Sequence, residues 1–183
     1  MGFAKAHTKC GDFLYSGKGC GKRDKTEAFK CYHKAAALNE PEAINNIGLM
    51  IETGFDDRPS DPELALDYYK RAHKLGNTDA CINIALYYLN GVHVDRDLNM
   101  GKYMLKQAYK NGNDRAVEYM ITYGFIKNRK EMEAEMLNMD EEVVSYMAQS
   151  STGFNNIVNI PNNSKRNVEV HGKESSANWG RAS

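Results

Sequence analysis

The sequence predicts an all-α solenoid of about three tandem two-helix hairpins, followed by a helical cap and an irregular tail. Three observations predict it. Small and apolar residues return every 37 positions, they fall at helical spacing within each copy, and Gly and Asp gather at the boundaries between the helical runs.

The repeat is read position by position. Ala6, Cys10-Gly11, Gly17, Ala28, Tyr32 and Ala35 return as Ala43, Ile47-Gly48, Gly54, Ala65, Tyr69 and Ala72, at an offset of 37 throughout. They return again as Ala80, Ile84-Ala85, Gly91, Gly101, Leu105 and Ala108, where the offset is 37 at the start and 36 at the end. A loop one residue shorter accounts for the change. A fourth, decayed copy opens at Ala116 with Met120.

In each copy the first run, helix A, carries apolar or small residues at its first, fifth and ninth places, as in Ala43, Ile47 and Ile51. A loop containing Gly and Asp follows, with Asp24, Asp61 and Asp95 or Asp97 suited to cap the next helix. The second loop is the longest, and its Pro62 fits the first turn of a helix. The second run, helix B, ends at Asn39, Gly76 or Gly112, residue types that tolerate a left-handed C-terminal cap. Ala and Gly recur where two backbones must cross closely, and Tyr, Leu and Ile fill the space beside them. One hairpin cannot bury its own apolar face, whereas stacked neighbours can.

Composition bounds the partners. Lys and Arg number 24 against 24 Asp and Glu, so no net field draws in nucleic acid or an anionic membrane. The tyrosines Tyr32, Tyr68, Tyr69 and Tyr103 are assigned to core or boundary places, which argues further against direct nucleic-acid binding. No stretch approaches the roughly 20 apolar residues that span a bilayer, so membrane insertion is not expected. There is no basic region followed by an apolar run at the N-terminus, and Ala6 stands where a myristoylation motif wants Ser or Thr. The expected location is cytoplasmic, with a mitochondrial one as the alternative. Lys34, Lys70, Arg71, Lys106 and Lys110 lie towards helix B C-termini, where cations complement the helix dipole.

The pattern Ala-x-x-x-(Leu/Ile/Cys)-Gly, a Gly six residues later, and Ala-x-x-x-Tyr-x-(Lys/Arg)-Ala in helix B resembles the Sel-1-like repeat family over about residues 4 to 124. The resemblance implies a right-handed superhelix related to tetratricopeptide repeats, and an adaptor role in larger assemblies. Its members range from membrane quality control and chitin-synthase activation to respiratory-complex assembly. It also implies that helix A lines a concave groove, with the third, fourth and seventh places of each repeat exposed to a partner. These are Thr8, Lys9 and Asp12; Asn45, Asn46 and Leu49; Ile82, Asn83 and Leu86; and Glu118, Tyr119 and Thr122. Asn46 and Asn83 align between copies, and their amides suit an extended peptide backbone. Some relatives staple each repeat by a disulfide from helix B to the next helix A. Here Cys81 stands at such a position, but His73 or a neighbour answers it. The four cysteines, Cys10, Cys20, Cys31 and Cys81, lack C-x-x-C spacing, and buried reduced thiols are expected. Cys10 and Cys31 replace core positions of the first hairpin and are expected to meet inside it.

Three segments follow from this reading: a solenoid over 1–124, capping helices over 125–148 and a tail over 149–183. The cap begins with a helix from Asn128 to Met139 whose Met132, Met136 and Met139 form one stripe, read as packing on the last repeat. Asp140 then starts a short helix with Val143, Val144 and Met147. The tail is rich in Asn, Ser and Gly and is expected to be disordered alone. Its apolar island of Phe154, Ile157, Val158 and Ile160, together with Trp179, is a candidate docking segment.

Catalysis is not expected. The five histidines fall at unrelated repeat positions, and neither H-E-x-x-H nor G-x-S-x-G occurs. No metal or other cofactor is expected either. The function predicted is a non-catalytic scaffold or adaptor holding a protein partner, as a subunit of a larger, multi-subunit complex. The alternatives are a cysteine-using assembly factor of a mitochondrial respiratory complex and a regulatory module of a larger multidomain protein.

Overall fold

A computed structural model describes residues 2–18 and 21–137 of the 183. Over these residues the chain forms α1 (Gly2–Ser16), α2 (Lys25–Ala36), α3 (Pro41–Thr53), α4 (Pro62–Lys74), α5 (Thr78–Asn90), α6 (Leu98–Lys110), α7 (Arg115–Thr122) and α8 (Arg129–Leu137). An isolated bridge between Phe55 and Arg58 is the one piece of β pairing among the described residues. Successive helices pair as hairpins, α1 with α2, α3 with α4 and α5 with α6, and each hairpin packs on the next through α2–α3, α4–α5 and α6–α7. Helices α1, α3, α5 and α7 form an A layer, and α2, α4 and α6 a B layer.

Boundary chemistry explains where each helix starts and stops. Asp24, Asp61 and Asp97 accept hydrogen bonds from the backbone N–H groups of Glu27, Leu64 and Met100, at 2.8, 3.0 and 2.9 Å. Pro62 occupies the first turn of α4, where a missing N–H costs nothing. Each B helix is followed by a left-handed residue: Asn39 (φ 57°), Gly76 (φ 91°) and Gly112 (φ 87°). Arg71 adds a tie between repeats, donating 3.1 Å to the carbonyl of Ala36 at the end of α2 and 3.3 Å to Asn39. A cation expected to complement its own helix therefore also caps the preceding one.

The core is one continuous cluster running from Ala28 in α2 to Met132 in α8. Two of its close crossings set a glycine against a tyrosine ring. A β-carbon at Gly48 would lie 2.7 Å from the Tyr69 ring, and one at Gly11 would lie 2.5 Å from the Tyr32 ring. The third hairpin has Ala85 where the first two have Gly, and Leu105 where they have Tyr, so the added methyl is offset by the missing ring.

The C-terminal side of the described chain is covered by α8. Met132 is fully buried and Met136 packs against the core, as the stripe predicts, while Met139 lies outside the described residues. Lys106 departs from expectation. It is 1% exposed, and its Nζ lies 2.6 Å from Glu135, which also pairs with Lys102 at 3.0 Å. The cap turns this lysine from a surface cation into a buried one, because α8 lies over that part of α6. Asp140, Val143, Val144, Met147 and the tail residues Phe154, Ile157, Val158, Ile160 and Trp179 fall outside the described residues, as does Cys20.

Candidate interaction surface

The A layer presents the residues that the repeat register singles out, but rotated from expectation. The fourth and seventh places are open to varying degree: Lys9, Leu49 and Thr122 are exposed, while Asp12, Asn46, Asn83, Leu86 and Tyr119 are half-buried. The third place is closed in the first three copies and open in the fourth. Thr8 is 0%, Asn45 4% and Ile82 1% exposed, so these three belong to the core and not to a partner surface, whereas Glu118 is exposed. The reason is lateral packing: α1, α3 and α5 each have a following A helix beside this face, and α7 has none among the described residues. Thr8 satisfies its hydroxyl on the carbonyl of Ala4, 3.2 Å away.

The amides knit the layer together. Asn83 donates to Asn45 at 2.9 Å, and Asn46 donates to Asp12 at 3.3 Å. Each amide thus commits one N–H to the preceding A helix, and an amide carries a second N–H and a carbonyl oxygen besides. Asp12 is a junction: it accepts from the Tyr32 hydroxyl at 3.0 Å and pairs with Lys9 at 3.0 Å, and Lys9 also reaches Glu42 at 3.2 Å. Burial, then the Asp12 carboxylate, pushes the Tyr32 hydroxyl well above the ordinary phenol range, so it stays a donor. Around this junction lies a cavity of about 200 Å³, lined by Asp12, Tyr15, Tyr32, Asn46, Leu49 and Met50. Its wall offers a carboxylate and an amide beside the exposed edges of Tyr15 and Leu49.

A second, larger hollow opens where α2 and α4 meet the long loop of the second repeat, and repeat logic alone did not find it. Its volume is about 570 Å³, and Phe29, His33, Phe55, Arg58, Leu64 and Tyr68 form much of the wall. Phe29 lies 4.9 Å from Phe55 and 4.4 Å from His33, centroid to centroid, and the Arg58 guanidinium covers both Phe rings at 4.9 and 5.1 Å. Burial, with Arg58 and Arg71 nearby, lowers the His33 pKa and favours neutral imidazole. The available signal was Phe55, an aromatic residue inside a loop otherwise made of Gly, Asp, Arg, Pro and Ser.

The thiols are placed largely as expected. Cys10 and Cys31 do meet, with sulfurs 3.6 Å apart, and Cys81 lies 2.9 Å from His73 Nδ1. Burial raises the Cys81 pKa to about 12 and lowers that of His73, so the pair is a neutral thiol beside a neutral ring. Cys10 corrects the expectation of burial, because it is exposed. Its counterparts Ile47 and Ile84 are fully buried, on helices that pack against α2 and α4 respectively. Among the described residues there is no cluster of three or more His, Cys, Asp or Glu able to hold a metal, and no helix long and apolar enough to cross a membrane.

Comparison with known proteins agrees with this architecture. The Sel1 repeat model matches residues 4–40, 41–77 and 78–113. Chitin synthase regulatory factor 4 of Schizosaccharomyces pombe is 38% identical over 78 residues, covering 41% of this chain and 12% of that protein. Cytochrome c oxidase assembly factor 7 of Xenopus tropicalis is 28% identical over 137 residues, 69% of this chain and 59% of that one. The chain thus spans only part of the length of each of these relatives. Among solved structures, a Sel1 repeat protein from Oxalobacter formigenes superposes with a TM-score of 0.61 at 24% identity, over 80% of this chain and 61% of that one. Cysteine rich protein B of Helicobacter pylori gives 0.51 at 23%, over 62% and 86%. With three consecutive hairpins matched in phase, and the same helical solenoid in its structural neighbours, the chain belongs to the Sel1 repeat family.

Proposed function

We propose that the chain is a non-catalytic adaptor that holds a segment of a partner protein along its A layer, as a subunit of a larger assembly. The observation that carries this reading is the cavity of about 200 Å³ at the junction of α1 and α3, where Asp12 and Asn46 stand beside exposed Tyr15 and Leu49. Such a wall takes a peptide with an apolar side chain next to a hydrogen-bonding backbone or a cation. Sel1 repeat proteins generally mediate protein–protein interaction, and the relatives are named for regulation and assembly, which supports a protein partner.

The test is affinity capture from the native source with three forms of the chain. Leu49→Arg alters the A-layer cavity, and Leu64→Arg alters the rim of the aromatic hollow between α2 and α4. The reading expects a defined set of proteins recovered by the unaltered chain and by Leu64→Arg, and lost with Leu49→Arg. Equal recovery by all three forms, or loss with Leu64→Arg alone, overturns it.

A further inference from the structure

The first hairpin holds two thiols that the adaptor reading leaves unused. Cys10 on α1 is exposed, Cys31 on α2 is 6% exposed, and the Cys31 S–H points at the Cys10 sulfur 3.6 Å away. Their meeting is a consequence of the crossing. Cys10 precedes Gly11 and Cys31 precedes Tyr32, and Gly11 lets α1 approach the Tyr32 ring so closely that a β-carbon there would come within 2.5 Å of it. The two sulfurs therefore sit beside the point where the helices of the hairpin are least able to separate. The corresponding pairs in the next two copies are Ile47 with Tyr68 and Ile84 with Met104, so the thiol pair is a property of this hairpin and not of the repeat.

We propose that Cys10 and Cys31 form a reversible intramolecular disulfide, with a small-molecule disulfide such as oxidised glutathione as the oxidant, and that this bond staples α1 to α2. The bond length needed is about 2 Å, and the sulfurs start from 3.6 Å. The chemistry balances in two exchanges. The Cys10 thiolate attacks one sulfur of glutathione disulfide, forming a mixed disulfide and releasing one glutathione thiolate. The Cys31 thiolate then attacks the Cys10 sulfur, closing the protein disulfide and releasing the second glutathione. Two protein thiols are oxidised, one glutathione disulfide is reduced to two thiols, and both protein protons pass to solvent or to the leaving thiolates.

The roles are set by placement: the exposed sulfur meets the oxidant, and the buried one resolves. In the dithiol form, burial and the neighbouring Cys10 push the Cys31 pKa up to about 11. Closure draws on the Cys31 thiolate, and burial still opposes its formation once Cys10 carries glutathione, so the closing step speeds up as pH rises. The ring closed by the bond joins residues 21 apart, a span that removes appreciable freedom from the unfolded chain. The proposal does not depend on the A-layer groove, and the two fail separately.

The experiment equilibrates the full chain, and a Cys20→Ser form, with oxidised glutathione at pH 8.5, traps the thiols, and maps the linked peptides by mass spectrometry. The expected product in both is a Cys10–Cys31 linkage with the loss of two hydrogens. Melting followed by circular dichroism should show Tm raised by roughly 5 °C, reversed by dithiothreitol and absent in Cys10→Ser. Persistence of glutathione on Cys10 without closure, or predominant Cys10–Cys20 linkage in the full chain, overturns the proposal. A closed Cys10–Cys31 bond that leaves Tm unchanged or lower overturns the stapling role. Peptide mapping of the unsubstituted chain decides the pairing even where a variant folds poorly.

Discussion

Replacing Gly48 by Ala sets two opposing effects against each other, and the structure decides which wins. In a helix interior the change is favourable by about 1 kcal/mol, because Ala loses less backbone entropy than Gly. Against this, the new methyl would lie 2.7 and 2.9 Å from two atoms of the Tyr69 ring and 3.3 Å from the Tyr68 β-carbon, where ordinary carbon contacts are about 3.5–4.0 Å. The ring has little room to retreat. Tyr69 is 0% exposed, its hydroxyl donates to Glu52 at 2.8 Å, and its ring makes a T-shaped contact with the Tyr87 ring at 6.0 Å. Overpacking of this kind costs about 1–3 kcal/mol, so the net loss is about 1 kcal/mol. The chain supplies its own control, since the third hairpin pairs Ala85 with Leu105. Gly48→Ala made in a Tyr69→Leu background should therefore cost nothing, or return part of the helix-propensity gain, with a coupling of about 1–2 kcal/mol across the double-mutant cycle. Urea unfolding followed at 222 nm measures all four corners. A Gly48→Ala chain as stable as the parent, or a penalty that persists without the ring, would refute the argument that this glycine exists to admit the tyrosine.

Three further outcomes follow from other contacts. Asn45→Ala should lower stability by about 1–2 kcal/mol, because it opens space in the layer and strips Asn83 of its 2.9 Å acceptor; urea titration reads the loss, and a change near zero would mean the amide pair is dispensable. His33 and His73, both held below the ordinary imidazole pKa chiefly by burial, bind protons more readily in the unfolded chain, so stability should fall as pH drops below about 6.5 and level off beneath the folded values. Replacing both by Gln should flatten the Tm profile between pH 7 and 5. Burial alone would raise the Glu135 pKa, but Lys106 and Lys102 outweigh it and the net shift is downward. Its contribution is then full above the unfolded value near 4.3 and disappears as pH falls through the lower folded one. Glu135→Gln should cost about 1–2 kcal/mol at pH 7 and markedly less at pH 3, read as hydrogen-exchange protection of α8.

What could be read in the sequence and what could not divide along one physical line. Features repeated in every copy were legible, because each has the same local cause each time. The aspartate caps at 24, 61 and 97, the left-handed residues at 39, 76 and 112, and Gly11 and Gly48 at the crossings stand where the register puts them, whereas Ala6 is exposed and its counterparts Ala43 and Ala80 are buried. The rotation of helix A was legible relative to its own B helix but not relative to the next A helix, which is why Thr8, Asn45 and Ile82 were placed in a groove and lie in the core. A single hairpin's pattern holds no information about the lateral packing that buries them.

Features belonging to one copy follow a different logic. Cys10 is open where its counterparts Ile47 and Ile84 are buried, Lys106 is buried because α8 lies on α6, and the aromatic hollow exists because the second repeat's loop carries Phe55 back onto Phe29. None of these is periodic, and periodicity is what identifies the fold. A partner that must be told apart from others cannot be recognised by residues that every hairpin shares, since those are already spent on stacking. On the adaptor reading, selectivity resides where the copies differ, so Asp12 and Tyr15 weigh more in the choice of partner than the amides at 46 and 83 or the leucines at 49 and 86, which two copies share. If exchanging Asn46 and Asn83 for Ala abolished partner recovery while Asp12→Asn with Tyr15→Ala left it intact, that ranking would be reversed.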